Sequence, residues 1–271
     1  MGICMNRAIE AVLIDLDGVM YIGGTAVTGA QDAFHSLKEQ GYRFRFVSNT
    51  TRKSRATIAR QLEGMGLGIQ ESHIFTPAFA TAVYLSAEQV QSAFFLTTTE
   101  VADEIIAASG VIPNVPNPEM VVVGDAGDRL SYDQMNTAFH HLLSGAELIA
   151  LEKDRYWMGT DGMMLSAGPF VTALEYATGK KALVMGKPSE AFFGLALASM
   201  HAEPETTAMI GDDVITDIGG AISCGLYGIL VKTGKYSGEA LTQAAIQPNA
   251  ILNSIADLPR FIESWNQVKT R

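Results

Sequence analysis

Short apolar runs that end in acidic or hydroxyl residues recur along this chain, with helical patterns between them. That alternation narrows the fold more than any other feature. Residues 8–16, AIEAVLIDL, form an apolar run closing on Asp15, Asp17 and Gly18, as a buried parallel strand with polar groups at its carboxyl end does. A helical pattern spans about Thr28 to Gln40 and stops at Gly41. FRFVSN (44–49) reads as a second strand and Ser54 to Met65 as a second amphipathic helix. KALVMG (181–186), TTAMIG (206–211) and YGILVK (227–232) read as three further strands of the same sheet, with helices between them. This order predicts an α/β fold built on a doubly wound, Rossmann-like parallel sheet, in which ligands sit beyond the carboxyl ends of the strands.

From Ser48 to Lys187 the chain runs far beyond the ~30 residues of one βαβ unit, leaving roughly 100 residues surplus. The surplus has its own strand patterns at 92–98, 119–125 and 147–153, and helical runs at 100–109 and 131–143. The expectation is a core made of residues 1–79 and 179–271, with a smaller α/β domain inserted at 80–178. Charge divides the same way: of a net −10, residues 80–180 carry 13 acidic and 4 basic side chains. A surface this acidic argues against nucleic-acid partners, which need clustered cations. No run approaches the ~20 apolar residues of a membrane span. The first ten residues lack the apolar segment of a signal peptide, and Asn6 breaks the myristoylation pattern after Gly2. Two cysteines, Cys4 and Cys224, make no disulfide framework, so the expected compartment is the cytoplasm, with neither membrane nor nucleic acid as partner.

Four polar clusters sit at strand ends. In Asp15-Leu16-Asp17-Gly18, alternation sends both carboxylates to one side, where they suit a hard cation, or a nucleophile with a proton-moving partner; a solvated strand-end turn is the alternative. Ser48-Asn49-Thr50-Thr51 offers a hydroxyl and main-chain N–H groups to an anion, or simply caps a helix. Gly186-Lys187-Pro188 places a compact cation at a helix start. Gly211-Asp212-Asp213 with Thr216-Asp217 crowds three carboxylates into six residues. They repel unless a cation or lysine compensates, and oxygen ligands favour Mg²⁺. Nucleophilic and proton-transferring carboxylates, a hydroxyl, a lysine and an acidic metal cluster are together the parts that phosphoryl transfer requires.

In order and placement, D-L-D-G at 15–18, Ser48, Lys187 and G-D-D-x-x-T-D at 211–217 resemble the four motifs of the haloacid dehalogenase superfamily. The insertion between the second and third motifs resembles the branch that contains the ribonucleotide phosphatase NagD and the pyridoxal phosphate phosphatases. Within that branch FVSNTT, GPFVTALEYATG, GKPSEAFF, MIGDD and VKTGKY are similar to two groups, one acting on phospholysine, phosphohistidine and pyrophosphate. The segment 125–143 leans toward that group. The resemblance implies Asp15 as nucleophile and Asp17 as acid, then base. It implies Ser48 and the Asn49 backbone on phosphate oxygens, with Lys187 bridging phosphate and nucleophile. Mg²⁺ would be held by Asp15, Asp212 and the Asp17 carbonyl, with Asp213 and Asp217 ligating through water or orienting Lys187. It implies a cap that faces substrate, making Tyr156, Trp157, Met158 and Asp161, in the irregular stretch DRYWMGTDGMM, specificity candidates beside a core-packing role for the aromatics. It also implies a homodimer formed through the cap.

The remaining features read as ordinary. Arg52-Lys53-Ser54-Arg55 is a solvated helix start or an attractor of anionic substrate. Gly23-Gly24 forms the turn after the first motif, and His35, His140 and His141 have no metal-ligand company. The expected function is Mg²⁺-dependent hydrolysis of a small phosphorylated substrate: a phosphometabolite, pyrophosphate or a phospho-amino acid. A non-catalytic phosphate-binding or interaction protein of the same fold is the alternative. A response-regulator-like receiver shares the acidic residues, hydroxyl and lysine but needs only about 120 residues and no such insertion.

Overall fold

The run AVLID is buried along its whole length, as a strand covered on both faces of a parallel sheet must be. It forms β1 (Ala11–Asp15) of a computed structural model that describes residues 7–159 and 162–269. The chain continues through β2 (Tyr21–Ile22), β3 (Thr25–Ala26), β4 (Arg43–Val47), β5 (Ile74–Phe75), β6 (Ser92–Leu96), β7 (Ile112–Pro113) and β8 (Met120–Val123). After these come β9 (Glu147–Ala150), β10 (Tyr156–Gly159), β11 (Gly162–Leu165), β12 (Leu183–Val184), β13 (Thr207–Gly211), β14 (Tyr227–Val231) and β15 (Ala250–Leu252). Two compact units result. The first comprises the chain up to Ser48, Ala56–Phe75, and everything from Lys187 onward; the second comprises Asn49–Arg55 and Thr76–Gly186. The insertion expected at 80–178 lies within this second unit.

The first unit is built on a six-stranded parallel sheet in the order β15-β14-β13-β1-β4-β5. From β1 the chain moves to β4 on one side and later returns to β13 on the other, which makes the carboxyl end of β1 the topological switch point. Helices Ala30–Glu39 and Leu258–Lys269 pack apolar stripes against one another, and Phe34 meets Phe46 edge-on at 5.1 Å. Gly23 and Gly24, both left-handed, make the two-residue turn between β2 and β3.

The second unit carries a five-stranded parallel sheet in the order β12-β9-β8-β6-β7, around a core that includes Leu96, Val121, Val123, Leu142 and Leu174. Thr98 and Ser131 cap the helices Thr99–Ser109 and Tyr132–Leu143, close to the expected runs. Two expectations need correction here. KALVMG contributes only Leu183–Val184, and these pair with β9 of this sheet rather than joining the first. A two-residue strand has too little pattern to reveal which sheet it enters, and Val184 packs on the second unit's core. The stretch expected to be irregular is an antiparallel hairpin, with Trp157 opposite Met164 and Met158 opposite Met163. Asp161, a specificity candidate, lies outside the described residues, as does Cys4.

Candidate active site

Register gathers the site. Asp15, the last residue of β1, lies opposite Val47, so Ser48 leaves the sheet one residue beyond it. On the other side Ile14 lies opposite Ile210, so β13 delivers Gly211 and then Asp212 to the same edge. β14 meets β13 through the pair Gly211–Leu230, and the loop beyond its end carries Gly234 and Lys235. All belong to the first unit.

Lys187 lies at the centre. Its Nζ donates to Asp15 Oδ1 at 2.5 Å and to Asp217 Oδ1 at 2.6 Å, with all three side chains buried. Carboxylate oxygens of Asp15, Asp212 and Asp217 stand within 4.8 Å of one another. One ammonium against three buried carboxylates leaves negative charge uncompensated. Burial therefore pushes the Asp15 carboxyl up to about 8; Lys187 opposes this, while Asp217 and Asp212 reinforce it. Asp212 is pushed up to about 6, again chiefly by burial, with the hydrogen bond from Lys235 N–H working the other way. Burial alone would lower the Lys187 pKa, yet its two carboxylate partners hold it above the ordinary lysine value.

Glycine makes the space. Gly18 and Gly234 are both left-handed, and a Cβ on either would stand 1.9 or 2.0 Å from Asp212 Oδ2. A Cβ on Gly211 would strike the Asp217 side chain at 2.3 Å. A carboxylate cradle cleared of side chains, short of positive charge and built of oxygen donors fits a small divalent cation. Asp15 and Asp212 each keep one carboxylate oxygen not engaged by Lys187 or the Lys235 main chain. Both oxygens of Asp217 are occupied, by Lys187 and by Asp213 N–H. Asp213 Oδ1 accepts from Ile215 and Thr216 N–H, capping the π-helical turn Val214–Gly219.

Asp17 lies apart from this triangle. The strand ends at Asp15, so alternation does not extend to Asp17, whose side chain is exposed where that of Asp15 is buried. It pairs across a β-bridge with Tyr21, whose hydroxyl is held above the ordinary tyrosine pKa by burial and by the charges of Asp17 and Asp15. Ser48 is buried, its N–H bonded to the Phe75 carbonyl at 3.2 Å. Asn49 falls in the second unit beside Gly186, where a Cβ would stand 3.0 Å from Asn49 Oδ1 and 2.6 Å from the Leu151 carbonyl.

In the run 52–55, Arg52 and Lys53 are exposed and the helix begins at Arg55, as expected of a solvated helix start, but Ser54 and Arg55 are only part-exposed. Arg55 pairs with Glu104 at 2.5 Å and lies 3.5 Å over the Phe79 ring, Ser54 donates to Glu100, and Arg52 faces Asp125 and Trp157. Acidic partners more than forty residues away give no local signal. Lys235 was also missed by sequence reasoning: its N–H donates to Asp212 Oδ2 at 2.7 Å, and, against a lowering by partial desolvation, Asp212 and Asp213 raise its ammonium pKa.

Comparison with known proteins identifies the family. The family model of haloacid dehalogenase-like hydrolases matches residues 12–112, and one described as HAD-hydrolase-like matches 184–258. Haloacid dehalogenase-like hydrolase domain-containing protein 2 of Homo sapiens is 44% identical over 85% of this chain and 86% of its own. Phospholysine phosphohistidine inorganic pyrophosphate phosphatase of Homo sapiens is 38% identical over 92% of each. The structure of NagD from E. coli K-12 matches with a TM-score of 0.85 at 28% identity, over 93% of this chain and 98% of that one. That of 4-nitrophenylphosphatase from Thermotoga maritima matches with 0.86 at 26%, over 94% and 98%. Identity of this extent, spread over nearly the full length of both partners and joined to the NagD likeness, means that the chain belongs to the haloacid dehalogenase-like hydrolases, in their NagD-like branch.

Proposed function

We propose that this protein is a Mg²⁺-dependent phosphatase that hydrolyses small phosphorylated compounds through a phosphoryl group carried on Asp15. The observation that carries the reading is the buried Lys187 ammonium shared by Asp15 and Asp217 beside the Asp212 carboxylate. Lys187 holds one oxygen of Asp15 and leaves the other to attack phosphorus in line with the departing oxygen. As the bond to the leaving group breaks, Asp17, on the exposed side of the bend, gives that oxygen a proton. Asp17 then takes a proton from water, the water oxygen bonds to phosphorus, and the Asp15–phosphorus bond breaks to release inorganic phosphate. Ser48 and the Asn49 main chain hold the non-bridging oxygens, and Asp217 keeps Lys187 aimed at the reacting group. Asp15, Asp212 and the Asp17 carbonyl would hold Mg²⁺, which would neutralise the phosphate charge.

The substrate class follows the relatives. Names such as 4-nitrophenylphosphatase and phospholysine phosphohistidine inorganic pyrophosphate phosphatase support a phosphomonoester, a pyrophosphate or a phospho-amino acid. The test is a Mg²⁺-dependent hydrolysis screen of 4-nitrophenyl phosphate, pyrophosphate, pyridoxal phosphate, nucleotides and phosphohistidine, with Asp15→Asn as the blank. Turnover that disappears in the variant and with a chelator is expected. A folded wild-type protein that turns over none of them contradicts the reading.

A further inference from the structure

Asp15, Asp212, Asp213 and Asp217 act on a second lysine besides Lys187. Asp212 and Asp213 line one cavity with Lys235, and against partial desolvation their charges favour its ammonium form. The Lys235 N–H fixes Asp212 Oδ2, and the left-handed Gly234 before it lets the loop approach Gly18 closely. Lys235 is exposed and lines a cavity of about 150 Å³ together with Asp212, Asp213, Tyr236 and Ser237. Among the described residues its ammonium closes no ion pair. A positive charge in this place opposes a divalent cation and attracts an anion, and the two effects have opposite signs.

We propose that Lys235 is a second cation of the reaction site that trades metal affinity for anion affinity: its main-chain N–H orients Asp212, while its ammonium weakens Mg²⁺ binding and strengthens phosphate binding. This rests on the metal-dependent reading above. Lys235→Gln removes the charge and keeps the N–H, and Lys235→Arg keeps both. Titration calorimetry gives the Mg²⁺ affinity without phosphate, then the affinity for inorganic phosphate at saturating Mg²⁺. In Lys235→Gln, Mg²⁺ binding should tighten about three- to tenfold and phosphate binding weaken by a similar factor, with Lys235→Arg restoring both. If the two affinities fall together, or neither moves, the inference is overturned while the metal reading stands. A wild-type protein that binds no Mg²⁺ overturns both.

Discussion

Asp15 and Asp212 carry protons in the folded state that an ordinary carboxyl would release. Their folded pKa values, pushed up to about 8 and about 6, lie above the unfolded range near 4. Without metal, protonation of these groups therefore stabilises the fold fully below pH ~4. That stabilisation is lost as the pH rises through about 6 for Asp212 and about 8 for Asp15. Chelated protein should melt at a higher temperature near pH 6 than near pH 8.5, and Mg²⁺ should narrow the difference by replacing the protons. Equal melting at both pH values in chelator would contradict this. Gly18 gives a second test at the same scale. Gly18→Ala meets Asp212 Oδ2 at 1.9 Å and adds about 1–2 kcal/mol of left-handed backbone strain. Mg²⁺ affinity should fall by more than the melting point suggests; unchanged metal binding would remove the cradle from the account.

Lys187 follows a run that pairs into the second sheet, but the positions of Asp15, Ser48 and Asp212 were legible in the sequence because each stands at the carboxyl edge of the first. Lys235 and the partners of Arg52 and Arg55 were not. Lys235 reaches Asp212 only because β14 pairs with β13, and Arg55 meets Glu104 only through the second unit's folding. Periodicity reports which face of an element is apolar and is silent about such distant partners.

Among the elements, the β10–β11 hairpin carries Tyr156, Met158, Met163 and Leu165 exposed, yet both its stems are tied to one buried side chain. Glu152 accepts from Ser166 Oγ at 2.6 Å and Ala167 N–H at 2.8 Å on one stem and from Asp154 N–H on the other. Gly168 lets the following helix approach closely, since a Cβ there would stand 2.4 Å from the Asp154 carbonyl. Glu152→Ala leaves three donors without this acceptor, at a cost of about 1–3 kcal/mol for each one left buried and unsatisfied. Hydrogen exchange across 152–167 should accelerate while β1 and β13 keep their protection. Exchange that rises equally in both units would show that Glu152 supports more than the hairpin. The hairpin was hidden from sequence reading by its surface: apolar side chains point both ways, so the alternation that marks a half-buried strand is missing.

For the whole molecule, length alone predicts a long insertion, because no single crossover consumes so many residues, and the second compact unit spans Asn49–Arg55 and Thr76–Gly186. The boundaries were less readable, since chain segments on either side of Ser48 and Lys187 belong to different units. The uneven charge has a consequence for substrate choice. Residues 80–180 hold 13 acidic and 4 basic side chains, so long polyanions should be poor substrates beside compact ones. The effect is screened beyond ~8 Å at physiological ionic strength, so it should weaken as salt is raised. Oligonucleotide ends or polyphosphate emerging as the best substrates would contradict it. The same screen, run at two salt concentrations, measures both.

The proposed hydrolysis passes through one bond, between Asp15 and phosphorus. Rapid acid quench during turnover, followed by mass spectrometry of the peptide carrying Asp15, observes that bond directly. A phosphorylated Asp15 is expected in the wild-type protein with Mg²⁺ and substrate and is expected to be absent in Asp15→Asn, which should retain its fold and Mg²⁺-dependent phosphate binding while losing turnover. Hydrolysis that persists in Asp15→Asn, with no phosphoryl group on this peptide, would contradict the proposal.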